Sequence, residues 1–191
     1  LWITSSRRAA SLNADVIAVM PFRVGGAATG YLRESMLDLL NARLSGDPGP
    51  RTVEPRTMLA AWRRVVSSDS LDLSAESSRD LAATLGAGRV LLGSAIATPT
   101  ELTLTGSVLR VFDGTMTANG SVSGPADSIA VLVNRLVAQL LILDAGEARE
   151  QVAGLASTSL EALRDYLAGR AAYRRGNFYG AMDLYARAFA R

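Results

Sequence analysis

Histidine, cysteine and lysine are all missing from the 191 residues, and the 20 basic side chains are therefore all arginine. Without them there is no Ser-His-Asp or Cys-His nucleophile pair, no thiolate or imidazole metal site, no Schiff-base lysine and no lysine for a phosphate-binding loop. Most enzyme chemistries are excluded on that ground alone. The absence of thiols leaves the compartment open, because a chain without cysteine is compatible with cytoplasm and periplasm alike. No basic tract is long enough to make a nucleic-acid footprint, and the net charge is only +2. The high sequence pI of 9.4 reflects the high pKa of arginine rather than a large surplus of cations. What remains is a packed globular composition, 49% hydrophobic and 20% charged, long enough for one ordinary domain and part of a second.

Residues 1–12 read as an N-terminal extension without the apolar stretch of a signal peptide. Leu1-Trp2-Ile3 fits either the last turn of a membrane helix with its aromatic residue at the interface or an ordinary ragged end. Residues 13–145 form the main domain. Asp15 to Met20 is a nearly continuous apolar run ended by Pro21, the pattern of a strand buried on both faces. Arg23 to Gly30 reads as a loop, and Leu32, Met36, Leu39, Leu40 and Leu44 recur at helical spacing. A short strand at Arg51–Glu54, helices at Arg56–Val66 and Ala75–Leu85, and a strand at Val90–Ala97 follow. Leu102 to Val108 and Met116 to Val122 alternate apolar with polar residues across Asp113-Gly114, the dipeptide of a two-residue hairpin turn. Asp127 then caps a helix with an apolar stripe from Ile129 to Leu143, interrupted by Asn134, Arg135 and Gln139 and so unsuited to a membrane span. This order predicts an α/β (α+β) fold with a mixed sheet covered by helices. Residues 146–159 read as a polar linker, and residues 160–191 as purely helical.

Two places carry chemistry worth weighing. Gly25, Gly26, Thr29, Gly30 and Tyr31 lie after a buried strand and before a helix, where phosphate loops sit, but Tyr31-Leu32 stands where a Walker loop needs Lys and Ser or Thr. A flexible turn is the better reading, and a small-ligand site in this loop is the alternative. In the C-terminal segment, Gly169, Gly176, Phe178, Ala181, Tyr185 and Ala188 fall at the spacing of a tetratricopeptide repeat, truncated before its closing proline. One repeat cannot bury its own apolar face, which predicts further repeats beyond it. Tyr166, Arg170, Tyr173 and Arg174 share one stripe of its first helix, and two aromatics with two guanidinium forks suit a protein partner's extended peptide or carboxylate. Packing of the tyrosines on the neighbouring helix or domain, with solvated arginines, is the competing reading. The carboxylate pairs Asp69 and Asp72, Glu34 and Asp38, and Glu147 and Glu150 read as solvated surface.

Asp15 to Phe22, Leu32 to Leu44, Arg51-Thr52-Val53, Ala82 to Ala87 before Val90-Leu91-Leu92-Gly93-Ser94, and Leu102 to Gly114 together resemble the TolB N-terminal-like (FlgO/CsgG-like) α/β domain. With the repeat after it, the layout is similar to the C-terminal, non-catalytic region of membrane-anchored bacterial serine/threonine protein kinases. That resemblance implies no catalytic residue in this segment and a protein partner through the repeat array; the residues themselves lead to the expectation of no cofactor, no metal site and no nucleic acid. It also implies membrane attachment through an upstream helix and an extracytoplasmic location, whereas Arg7-Arg8 beside such a helix argues for the cytoplasmic side. Oligomeric state and the identity of the partner are not written in these residues.

Overall fold

The computed structural model describes residues 12–26, 31–66, 72–148, 150–152 and 159–191. Strand β1 (Asn13–Val19) ends in Ile17, Ala18 and Val19, all buried in succession, as a central strand covered on both faces requires. Its neighbours are the two-residue β3 (Arg51–Thr52) and the long β4 (Ala87–Ala97), both parallel to it. Beyond β4 the sheet continues antiparallel through β5 (Glu101–Arg110) and β6 (Met116–Pro125), giving the order β3-β1-β4-β5-β6.

A sixth strand, β2 (Arg23–Gly26), corrects the expectation of a loop from Arg23 to Gly30. It runs parallel to the far half of β4, with Arg23 opposite Ser94 and Gly26 opposite Ala97, so β1 and β2 share one edge of β4. Pro21 lacks an amide and interrupts the ladder, while the Met20 amide still donates to the Leu91 carbonyl at 2.9 Å and holds the chain against β4. Gly26 closes the strand at φ +73°, where an added Cβ would stand 2.2 Å from the Ala97 carbonyl oxygen. The β5–β6 connection is also wider than the predicted two-residue turn. Residues 111–115 form it, because the Val111 amide donates to Gly88 of β4 at 2.9 Å and Arg110 pairs with Thr115 instead.

Helices lie on both faces of the sheet. On one face are α1 (Tyr31–Leu44) and α4 (Ile129–Asp144); on the other are α2 (Pro55–Val65) and α3 (Ala75–Thr84). Glu54 caps α2 through the Thr57 amide with Pro55 in the first turn, and Ser74 caps α3 through Ser77. Asp127, expected to cap α4, lies inside a 3-10 turn at Ala126–Ser128 and accepts from the Ser128 hydroxyl instead. Leu132 and Leu136 of α4 come down on Gly124 and Gly120 of β6, and Leu136 and Leu140 on Gly106 of β5; the missing side chains let the helix approach the sheet. Ala126–Asp144 is long and apolar enough to cross a membrane by length and composition. Its stripe from Leu132 to Ile142 is nevertheless spent in the core of this domain.

The C-terminal helices α5 (Leu160–Arg174) and α6 (Phe178–Phe189) form an antiparallel hairpin. Ser159 and Asn177 cap them, and Gly176 turns the chain at φ +77°. Gly169 lies under Tyr185, with room for no Cβ.

Candidate functional site

The four stripe residues of α5 are brought together, but most of their polar capacity is turned inward. Arg170 and Arg174 both reach Glu147, at 3.0 Å and 3.3 Å, and Arg174 also donates to the Ala145 carbonyl at 3.2 Å. The Glu147 side chain is only 3% exposed. Arg170 donates to the Tyr166 hydroxyl at 3.4 Å, and that bond together with the Glu147 charge pushes the Arg170 guanidinium above its ordinary pKa. Tyr166 packs on Tyr185, and Tyr173 meets Phe178 edge-on at 5.3 Å. Glu147, read from sequence as solvated surface beside Glu150, is thus the buried clamp between the body and the hairpin. Its partners lie 23 and 27 positions away, beyond any local pattern.

Two further contacts fix the hairpin. Leu160 and Leu163 join the main core, and Arg164 donates to the Arg43 carbonyl at the end of α1, threading between Gly46 and Gly49. On the other side of α5, the buried Asp165 pairs with Arg187 and Arg191 across the hairpin, at 3.3 Å and 3.2 Å. Part of what the hairpin leaves uncovered is apolar, beside exposed Arg175, Asp183 and Arg187. On α6, Tyr179 is 86% exposed and Phe189 96%, with Phe178 and Met182 also exposed. Tyr179, Met182 and Phe189 recur at helical spacing and make one face.

Of the glycine-rich loop, Gly25 and Gly26 are strand residues of β2, Thr29 and Gly30 lie outside the described residues, and only the backbone of Tyr31 is described, at the start of α1. A cleft of about 470 Å³ opens instead beside the Met20–Arg23 junction, on the sheet face that carries α3. Ser94, Thr105 and Ser107 line its floor, Met20 and Trp62 its wall, and Arg23 its rim. The Ser94 and Thr105 hydroxyls bond each other at 2.7 Å, and Arg23 donates to the Leu73 carbonyl at 3.3 Å. At its border Asp72 is paired with Arg33, which lies 5.8 Å over the Trp62 ring. Sequence reasoning missed this cleft because Thr105 and Ser107 alternate with apolar residues along β5 and read as the solvent side of a half-buried strand, while Ser94 is the lone hydroxyl of β4.

No family model matches the chain, and no curated protein matches it. Among solved structures it is similar to lipoprotein GNA1162 from Neisseria meningitidis, at 16% identity and a TM-score of 0.46, over 58% of this chain and 80% of that one. It is also similar to the LpoB C-terminal domain from Escherichia coli, at 21% identity and a TM-score of 0.45, over 62% of this chain and 93% of that one. TolB from Acinetobacter baumannii aligns at 12% identity and a TM-score of 0.46, over 70% of this chain but 29% of its own.

Proposed function

We propose that this chain is a non-catalytic, protein-interaction region of a larger bacterial signalling protein, in which the α/β body carries a helical hairpin that docks protein. The observation that carries the reading is the uncovered face of α6, where Tyr179, Met182 and Phe189 stand in solvent. Exposed apolar faces of this kind on small domains mark sites of association. The absence of histidine, cysteine and lysine supports a non-catalytic role. In the same reading the hairpin is the first tetratricopeptide repeat of an array, and the parent is a membrane-anchored serine/threonine kinase holding this region on the extracytoplasmic side. The repeat rests on the spacing of Gly169, Gly176, Phe178, Ala181, Tyr185 and Ala188, and the kinase parent and its location rest on the family resemblance given above.

A photoreactive residue placed at Tyr179 or at Phe189 of the parent protein tests the proposal. Crosslinks to polypeptide from both positions, and none from the exposed Glu101 on the other side of the sheet, are expected. Silence at both α6 positions would refute the docking role.

The 470 Å³ cleft favours a second reading, a small-ligand sensor, since its volume lies within the roughly 300–1,000 Å³ of small-molecule pockets. A metabolite that raises the melting temperature of the wild type, and fails to do so in the Ser94→Val and Thr105→Val variants, is the result that reading requires.

A further inference from the structure

A buried guanidinium is ordinarily neutralised by a carboxylate. Arg164 is 8% exposed, yet among the described residues no carboxylate pairs with it. Among the described residues its one bond goes to the Arg43 carbonyl at the carboxyl end of α1, and its buried Nε has no partner there. A helix terminus offers only about half an elementary charge, so positive charge is left over.

Beside Arg164 lies a cavity of about 180 Å³ between the hairpin and the body, lined also by Arg89, Asp144, Gly49, Pro50 and Ala168. Arg89 brings a second guanidinium whose buried Nε is likewise without a partner. The one carboxylate among the described residues of the cavity wall is already committed: Asp144 accepts from Arg89 through one oxygen and from the Thr117 hydroxyl, at 2.5 Å, through the other. The groups that act on Arg164 from outside the cavity oppose each other. Burial holds the guanidinium below its ordinary pKa; exposed Glu161, three positions earlier, favours its charge, and Arg43 disfavours it.

We propose that this cavity binds a compact oxyanion, a carboxylate or phosphate group, between Arg164 and Arg89. At about 30 Å³ per water, the space equals roughly six waters, which admits such a group with part of its hydration. Since its walls come from α5, from the end of α4, from β4 and from the loop after α1, a bound anion ties the hairpin to the body. The site is independent of the α6 surface and of the sheet cleft, and its failure leaves both readings in place.

The test is thermal unfolding of the chain at constant ionic strength with inorganic phosphate, acetate or chloride as the varied anion. Phosphate or acetate is expected to raise the midpoint by several degrees, as binding to the folded state does, and to slow amide exchange in α5. Which of the two acts identifies the source as a phosphate or a carboxylate. Two variants guard the interpretation. Arg164→Met removes the charge and keeps the apolar stem, and is expected to abolish the response. Ala168→Glu, one helical turn from Arg164, supplies a built-in carboxylate and is expected to raise the midpoint while abolishing the response. An equal shift with chloride, an equal shift in either variant, or no shift with any anion would overturn the proposal and leave the cavity to water.

Discussion

Replacing Glu147 by Gln removes the charge of the clamp and leaves its shape, and the structure sets the size of the effect. The carboxylate is 3% exposed and faces two guanidinium groups at 3.0 Å and 3.3 Å, which are themselves 36% and 47% exposed. A pair at such distances is worth about 1 kcal/mol in water and about 4 kcal/mol in a partly buried setting. The exposure of both arginines places these pairs near the lower figure. Part of each bond survives with the amide, so docking of the hairpin loses about 1–3 kcal/mol. Every 1.4 kcal/mol is tenfold in an equilibrium, so amide exchange in α5 and α6 speeds up by about 5- to 140-fold. Exchange in β4 and β5 is expected to change far less, because neither Arg170 nor Arg174 bonds to the sheet. Native-state hydrogen exchange of the wild type and the Glu147→Gln variant reads both regions in one experiment. Unchanged protection of α5, or an equal loss in the strands, refutes the reasoning.

Two other perturbations follow from single contacts. An added Cβ at Gly93 would stand 2.2 Å from the Phe22 ring, which is fully buried, so Gly93→Ala is expected to cost about 1–3 kcal/mol through overpacking. Phe22→Leu in the same chain should return part of that loss in urea unfolding, and a double variant no more stable than Gly93→Ala would remove the explanation. Acid acts on the α2 cap: the Thr57 amide, then the Arg56 amide, hold the Glu54 carboxyl below its ordinary value of 4.5. A folded-state pKa below the unfolded one means that the contribution is full above about pH 4.5 and is lost as the pH falls through the folded value. The stability gap between wild type and Glu54→Gln should therefore close below pH 4.5, and a gap that persists at lower pH contradicts the cap.

The elements with strong local signals were legible in the sequence. The apolar run of β1, the 3.6 periodicity of α1 and α4, and the alternation of β5 and β6 each follow from burial on one or two faces, and the structure places them accordingly. What escaped depends on partners distant in sequence. β2 is a strand only because β4 extends past Pro21 with open backbone groups, and Arg-Val-Gly-Gly alone carries no strand signal. Glu147 looks like linker until Arg170 and Arg174 of α5 fold back over it. The same holds for Arg164, whose burial depends on the space left by Gly46 and Gly49 more than a hundred positions earlier.

The exclusive use of arginine as the cation also bears on how the elements are joined. Arg79 of α3 donates through Nε and Nη2 to the Val111 carbonyl, at 3.1 Å and 3.0 Å, and its Nη2 lies 3.5 Å from the Phe112 carbonyl. One planar fork thereby fastens α3 to the connection between β5 and β6, beside Gly114, where an added Cβ would meet it at 2.7 Å. Arg174 likewise spans a carboxylate and a helix-terminal carbonyl. An ammonium is a single point charge and cannot present two fixed, parallel donors to one carbonyl. With a net value of about 1 kcal/mol for a typical hydrogen bond, and more where a charged group donates, Arg79→Lys is expected to lose about 1 kcal/mol despite conserving the charge. Arg79→Met is expected to lose about 2 kcal/mol, since it gives up all the donors. Urea midpoints of the three proteins should fall in the order Arg, Lys, Met. If the lysine variant matches the wild type, charge alone fastens this connection and the geometry of the fork contributes nothing.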